Sequence, residues 1–307
     1  MNAIARQELF NVYVHSSPDY PGYPEGSVFH GYELKHRVEA KWMDLTPAMF
    51  VLIRAAVHNP ANAFFVLLSE SCLPLYPARA FYLQVIHSRQ SRINGGCEDV
   101  PMFGQHDVPQ RRMRRLLWQD TDEEHEWQMW KSHQWWLLTR PHAHLASLHP
   151  HTDLLELPDE LYIPTLLRTH GRANETTCDW QGPTYGNWTY QADDPESWGW
   201  HPATYHSLDA GQLARMRQST PRWDVACDWA GALAAVPGRF MSLAHWEWGE
   251  VPPEFTPMPP SCPLLARKFA PEATDSMMAA LWPQRPATPP VHEVVHERRA
   301  GVDGADS

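Results

Sequence analysis

Three pairs of charged residues in this sequence have the types and spacing to do chemistry. Asp159 and Glu160 follow Pro158 at the entry to a predicted helix. A carboxylate there can take a proton from a reacting hydroxyl, although acidic residues in a first turn commonly do no more than complement the positive end of the helix dipole. Arg267 and Lys268 stand at the end of an apolar segment. Adjacent cations can meet phosphate oxygens, and they are as often a solvated surface pair. Asp120 and Asp122 match by letter the Asp-x-Asp arrangement that holds a divalent cation against a diphosphate at the end of a buried strand. Their setting, the acidic run QDTDEEHE with arginines and no buried strand before it, reads as a solvated loop.

Histidine and cysteine offer less. His142 with His144 and His149 with His151 are pairs two residues apart in a Pro-containing stretch that reads as loop, with no helical or hairpin frame to make them converge, so no metal is assigned to them. The five cysteines, Cys72, Cys97, Cys178, Cys227 and Cys262, include no CxxC and no zinc-like spacing. Their odd number permits up to two disulfides and one thiol. Two Asn-x-Thr sequons, at Asn174 and Asn187, lean towards a secretory lumen. Fifteen tryptophans are an unusual allotment; most such rings are core, and any that reach a surface offer a sugar a stacking face.

The elements that must position these residues can be read from punctuation and periodicity. Residues 10–18 (FNVYVHSSP) alternate apolar positions and then break on a Ser-Ser-Pro turn, as a strand does. Thr46-Pro47 reads as an N-cap and N1 proline. The apolar spacing of Met49, Leu52, Ile53 and Ala56 carries that helix to Asn59-Pro60. Residues 63–69 (AFFVLLS) form a continuous apolar run, the pattern of a strand covered on both faces. Strand, helix, strand in this order predicts a mostly parallel α/β sheet flanked by helices. Ser69 and Glu70 would then lie at the C-terminal strand end, where such sheets place nucleotide or acceptor ligands.

Further along, residues 75–87 read as a helix, 134–139 (QWWLLT) as a strand, 159–170 as a helix entered through Leu157-Pro158, and 210–218 as another helix. The segment 264–269 (LLARKF) is the last ordered motif that the pattern predicts. Residues 1–282 read as one domain and 283–307 as a low-complexity tail. A hydrophobic content of 43% is enough for a sizeable core. The net charge of -11 argues against a nucleic-acid or anionic-membrane partner, either of which needs a basic surface. No run of about twenty apolar residues occurs in the chain.

Six segments in order resemble the core-2/I-branching β-1,6-N-acetylglucosaminyltransferase family, closest to its plant and algal branch. They are FNVYVHSSP, FFVLLSESCLPLY (64–76), WKSHQWWLLTR (130–140), LPDELYIPTLL (157–167), WHPATY (200–205) and CPLLARKF (262–269). The resemblance implies a GT-A-like fold, an inverting transfer of a sugar from a UDP-sugar to a glycan or glycoprotein hydroxyl, and no metal cofactor. It further implies a Golgi type II membrane protein whose anchor and first nucleotide-binding strand would precede Phe10.

Site roles follow from the same resemblance. Glu160 matches the catalytic base, and Arg267 with Lys268 match the basic element that takes the place of a metal on the diphosphate, Lys268 being the closer match. A second upstream cation has Arg239 and His245 as candidates. Gln134, Trp135 and Trp136 match the wall beside the base, with Trp188 and His201 on a loop facing the same cleft. In a strand, alternate residues face opposite sides, so at least one of Trp135 and Trp136 is expected to be core. Two other classes remain: a non-catalytic carbohydrate-binding protein on the same fold, and a metal-dependent hydrolase built on the histidines.

Overall fold

A computed structural model describes residues 9–27, 29–41, 44–93, 130, 132–148, 158–177, 182–188, 202–219, 227 and 257–281. The Asp120-Thr121-Asp122 stretch, His149, His151, His201, Arg239, His245, Cys97, Cys178 and the tail 283–307 lie outside the described residues.

Helix α1 (Thr46–Val57) begins with Pro47 in its first turn and buries Met49, Phe50, Ile53 and Ala56 on one face. Burying each large side chain contributes roughly 1.5–3 kcal/mol. The helix starts one residue earlier than predicted: Leu45 is the N-cap and Thr46 is already helical, with no side-chain cap. A carboxylate from elsewhere in the fold, Asp159, accepts the Leu45 N–H instead.

Strand β1 (Phe64–Val66) carries the apolar run, shortened to three residues. Its two faces serve two cores. Phe65 and Leu67 enter a first core with α1, whereas Phe64 and Val66 pack against a second. Double coverage is why the run has no polar alternation.

Strand β3 (Leu137–Thr139) pairs with β1 in antiparallel register, Phe65 opposite Leu138. Helix α3 (Arg140–Leu148) follows at once. The Arg140 guanidinium donates to the carbonyls of Val57, Asn59 and Asn62 at 2.8–2.9 Å, so it closes the C-terminal end of α1, where a cation suits the helix dipole.

The second core surrounds three short strands: β2 (Leu73–Pro74), β4 (Thr184–Gly186) and β5 (Leu265–Arg267), in the order β2-β5-β4. Helices α2 (Ala78–Ser88), α5 (Ala210–Gln218) and α6 (Ala273–Leu281) supply its remaining side chains. Asp209 and Gln212 form a reciprocal capping box at the start of α5. Helix α6 extends order beyond LLARKF.

Helices alternate with strands as an α/β class requires, but the mostly parallel sheet predicted from strand-helix-strand order is not what the described residues form. β1 with β3 and β2 with β5 are antiparallel, and β4 with β5 is the parallel pair among the described strands. The parallel expectation required residues 10–14 to lie beside 64–66. Val14 instead makes a single bridge to Glu33, and β1 is left to pair with a strand more than seventy residues away in sequence.

Arg92 joins the two cores. Its backbone exchanges hydrogen bonds with Leu137 at 2.7 and 3.1 Å, and its guanidinium donates to the carbonyls of Pro260 and Cys262 just before β5. Cys262 is also bonded to Cys227 by a disulfide, while Cys72 is a buried thiol. Replacing Arg92 with Met would leave both carbonyls without their donor. The expected loss is about 3 kcal/mol or more, read as a lower urea midpoint, and an unchanged midpoint would show that the two cores hold together without this link.

Candidate active site

Helix α4 (Pro158–Thr169) is apolar nearly all round, burying Leu161, Tyr162, Ile163, Leu166 and Leu167, and it presents Asp159 and Glu160 in its first turn. Pro164 lies inside it. Proline has no N–H, so the carbonyl four residues back, that of Glu160, receives no helical hydrogen bond from it. Ser132 N–H fills that place at 3.0 Å. The same helix binds Trp130 through Thr165, whose Oγ1 accepts the Trp130 N–H at 3.0 Å. The sequence thereby attaches the helix carrying Glu160 to the segment that leads into Trp135.

Asp159 and Glu160 differ in setting. Asp159 is 4% exposed, and burial, reinforced by the neighbouring Glu160 charge and by Asp44, pushes its carboxyl up to about 6. Glu160 is half-buried, its backbone held by Ser132.

Arg267, the last residue of β5, lays its guanidinium on the Trp135 indole, Cζ 4.5 Å from the ring centroid. Such a contact contributes about 1–2 kcal/mol when partly desolvated. Burial lowers the pKa of Arg267, opposed by Cys72 and by the negative charges of Glu70 and Glu160.

His133, Trp135, Thr184, Gly186, Trp188 and Arg267 line one small, open cleft of about 10 Å³. His133 and Trp188 stack across it with ring centroids 5.8 Å apart, and Trp188 is one of the few exposed large rings. The Trp135 Nε1, Thr184 Oγ1 and Arg267 Nε have no hydrogen-bond partner among the described residues. All three can donate to an oxygen-rich ligand.

The predicted site residues are thus partly assembled. Arg267, Trp135 and Trp188 share the cleft, and Glu160 acts on Arg267 through its charge without lining that cleft. Lys268 is half-buried beside it, its carbonyl accepting the Tyr205 N–H at 2.8 Å, and it does not line this cleft. Glu70 is exposed beyond the end of β1 and acts on Arg267 through its charge. Ser69 is occupied with Ser71 and Cys72 at 3.0 and 3.3 Å.

Gln134 is half-buried between His133 and Trp135. Trp136 is core, packed with α1 and α4. At least one of the two tryptophans is expected to be core, and both are: the paired strand begins only at Leu137, so both rings enter the same core, and of the two Trp135 also reaches the cleft. His133, Thr184 and Gly186 were not singled out from the sequence. His133 lies within the segment WKSHQWWLLTR that carries the family resemblance, whereas no residue pattern marks Thr184 or Gly186.

The histidine stretch is corrected. Residues 140–148 are helix α3, with His142 turned inward and His144 outward. Ser91 Oγ accepts the Thr139 N–H at 2.9 Å, so its hydroxyl proton goes to His142 Nδ1 at 2.6 Å, leaving Nε2–H to donate to Glu175 at 3.1 Å. Ser91 is fully buried, so this chain of bonds ties three segments together and presents no nucleophile.

Comparison with known proteins places the site in context. The model of the core-2/I-branching enzyme family matches residues 2–217, more than half of the chain. The chain belongs to that family. Among curated proteins it is similar to glycosyltransferase BC10 of rice (Oryza sativa subsp. japonica), 27% identical over 241 residues, a match that covers 67% of this chain and 57% of the rice protein. No solved structure matches. Glu160, Trp135 and Trp188 fall inside the family match, and Arg267 and Lys268 lie beyond its end. No helix among the described residues is long and apolar enough to cross a membrane.

Two outcomes follow from this geometry. Asp159 holds its proton more tightly folded than unfolded, so its contribution to stability is full below about pH 4 and is lost as pH rises through about 6. Asp159→Asn removes that loss. Its stability relative to wild type should therefore rise by about 2–3 kcal/mol between pH 4 and pH 7.5, and a gap that stays flat in denaturant titrations would contradict the burial argument. Separately, a Cβ at Gly186 would come within 2.9 Å of the Trp188 Nε1. Gly186→Ala should shift the Trp188 indole N–H resonance, assigned by its loss in Trp188→Phe; an unmoved resonance would show that the ring does not rest on Gly186.

Proposed function

We propose that this chain is an inverting, metal-independent glycosyltransferase that moves a sugar, N-acetylglucosamine as first choice, from a UDP-sugar to a hydroxyl of a glycan or glycoprotein. The observation that carries the reading is an indole-lined cleft with Arg267 on its wall, the guanidinium resting on Trp135 and feeling the charge of Glu160, in a member of the core-2/I-branching enzyme family. The rice relative bears the name glycosyltransferase. A GT-A-like architecture and residence at the Golgi membrane belong to the same proposal, as does a membrane anchor preceding the matched segment.

In this mechanism the acceptor hydroxyl gives its proton to the Glu160 carboxylate as its oxygen attacks the anomeric carbon. The bond from that carbon to the diphosphate oxygen breaks on the opposite face, which inverts the configuration. The charge that develops on the leaving diphosphate is met by the Arg267 guanidinium and by Lys268, fixed cations in the place a divalent metal would otherwise fill. Trp135 holds the guanidinium in its plane. Trp188 offers its exposed indole to a sugar ring beside His133, Thr184 and Trp135 on the cleft wall. Ser69, Glu70 and Gln134 lie around these groups as further donor or acceptor contacts.

The test is transfer from a panel of UDP-sugars to glycan acceptors with EDTA present. Transfer should persist on chelation, and Glu160→Gln should lower kcat by about 10²–10⁴ without weakening UDP binding. Arg267→Met should instead weaken UDP binding by about tenfold or more, the equivalent of losing a charge-assisted contact of at least 1.4 kcal/mol. Loss of all transfer in EDTA would end the metal-free mechanism, and full activity in Glu160→Gln would end the base assignment. Glycan binding without UDP binding or transfer would identify a non-catalytic carbohydrate-binding protein.

A further inference from the structure

The turn after α4 contains an Asn-x-Thr sequon whose three residues have very different surroundings. Asn174 is the exposed middle residue of a single 3-10 turn, Ala173–Glu175. Glu175 is committed: its carboxylate accepts Arg172 at 2.9 and 3.0 Å and His142 at 3.1 Å. Thr176 is buried, and its Oγ1 donates to the Ala173 carbonyl at 2.7 Å. Of the three, Asn174 is the exposed residue, Glu175 is partly exposed with its carboxylate engaged, and Thr176 is buried.

The second sequon is placed otherwise. Asn187 is half-buried, its carbonyl accepts the Ala203 N–H at 2.8 Å, and the next residue is Trp188 on the cleft wall. A glycan on Asn187 would stand at the mouth of the cleft. Asn174 lies at the other end of α4 from Glu160, which is in the first turn while the 3-10 turn follows the last; the nine residues between Glu160 and the helix end span roughly 14 Å, and Asn174 does not line the cleft.

An independent feature points to a compartment in which such sequons are used. The Cys227–Cys262 disulfide ties the segment before β5, and disulfides form and persist in oxidising compartments. The same secretory route adds glycans to Asn-x-Thr.

We propose that Asn174 carries an N-linked glycan and that Asn187 does not. The donor is a polyprenyl-diphosphate-linked oligosaccharide, used by the host's membrane-bound oligosaccharyltransferase. The Asn174 side-chain nitrogen bonds to the anomeric carbon and loses a proton, the carbon–oxygen bond to the diphosphate breaks, and the lipid diphosphate leaves. Addition precedes folding of this turn, because in the folded chain the Thr176 hydroxyl is buried and already bonded. The two sites then differ at the folding step, where a glycan on half-buried Asn187 would have to be seated against the cleft wall and one on exposed Asn174 would not, so the folded, secreted chain carries it at Asn174. Once the turn has formed, the glycan stays outside the fold without displacing any packed group.

The test is to express the full chain behind a cleavable secretion leader in a eukaryotic host and to map sites by mass spectrometry after enzymatic deglycosylation, which converts each glycosylated Asn to Asp. The conversion is expected at Asn174 and not at Asn187. Asn174→Gln should lose a one-glycan gel shift, Thr176→Ser should retain it, and Asn187→Gln should leave it unchanged. Mapping on the wild-type chain keeps the result independent of how any variant folds. An unmodified secreted chain, or a glycan at Asn187 in place of Asn174, would overturn the proposal. Sugar transfer by Asn174→Gln should match wild type, so failure of the glycan assignment and failure of the transferase reading are separate results.

Discussion

The position of the cleft depends on a guanidinium buried between two apolar cores. Arg92 is 1% exposed, a setting in which an unsolvated charge is tolerated only when strong dipoles surround it. Backbone carbonyls of Pro260 and Cys262 are among those dipoles, and the Arg92 backbone is at the same time a ladder partner of Leu137. One residue therefore sets the distance between β3 and the chain entering β5. Trp135 lies two residues before Leu137, and Arg267 five residues after Cys262, so the stacking of Arg267 on Trp135 inherits its geometry from that bond set. The disulfide to Cys227 holds the same segment from another side.

Around Glu160, local stability has been given up in two places. Pro164 removes a hydrogen bond from the interior of α4, and the carbonyl it leaves open is used to draw in Ser132. Asp159 is buried at a cost, since its ionised form is disfavoured enough to raise the carboxyl to about 6. In return it accepts the Leu45 N–H and so connects the starts of α1 and α4. A helix that only packed would need neither feature. Both features constrain the turn from which Glu160 projects, and departures from local optimum of this kind concentrate at functional sites.

The strand pair β1 and β3 forms the divide between the cores. Residues alternate between them: Phe65, Leu67 and Leu138 on one side, Phe64, Val66 and Leu137 on the other. Helices α1, α3 and α4 cover the first side, and the β2-β5-β4 strands with α2, α5 and α6 cover the second. Catalytic candidates come from both: Glu160 and Trp135 belong to the first side, and Arg267, Thr184 and Trp188 to the second. A site at such a seam can combine a base and a cation without placing them on one element.

By itself the sequence determined that helices follow Thr46-Pro47 and Leu157-Pro158 and occupy 210–218, with ends within a residue or two of those observed, because proline entries and the 3.6-residue period are local properties. It also located the apolar stretches that become β1, β3 and β5, and through likeness to a family it named Glu160, Arg267, Trp135 and Trp188. Tertiary structure decided the partners. Three-residue ladders carry too little local information to choose between parallel and antiparallel neighbours, so β1 found β3 through contacts across more than seventy residues. The same holds for side-chain direction. His142 turns inward to Ser91 and Glu175, and Arg267 rather than Lys268 lines the cleft, while Thr184 and Gly186 enter it from β4. Each of these outcomes depends on which face of an element meets a neighbour, and that is set by packing between distant segments.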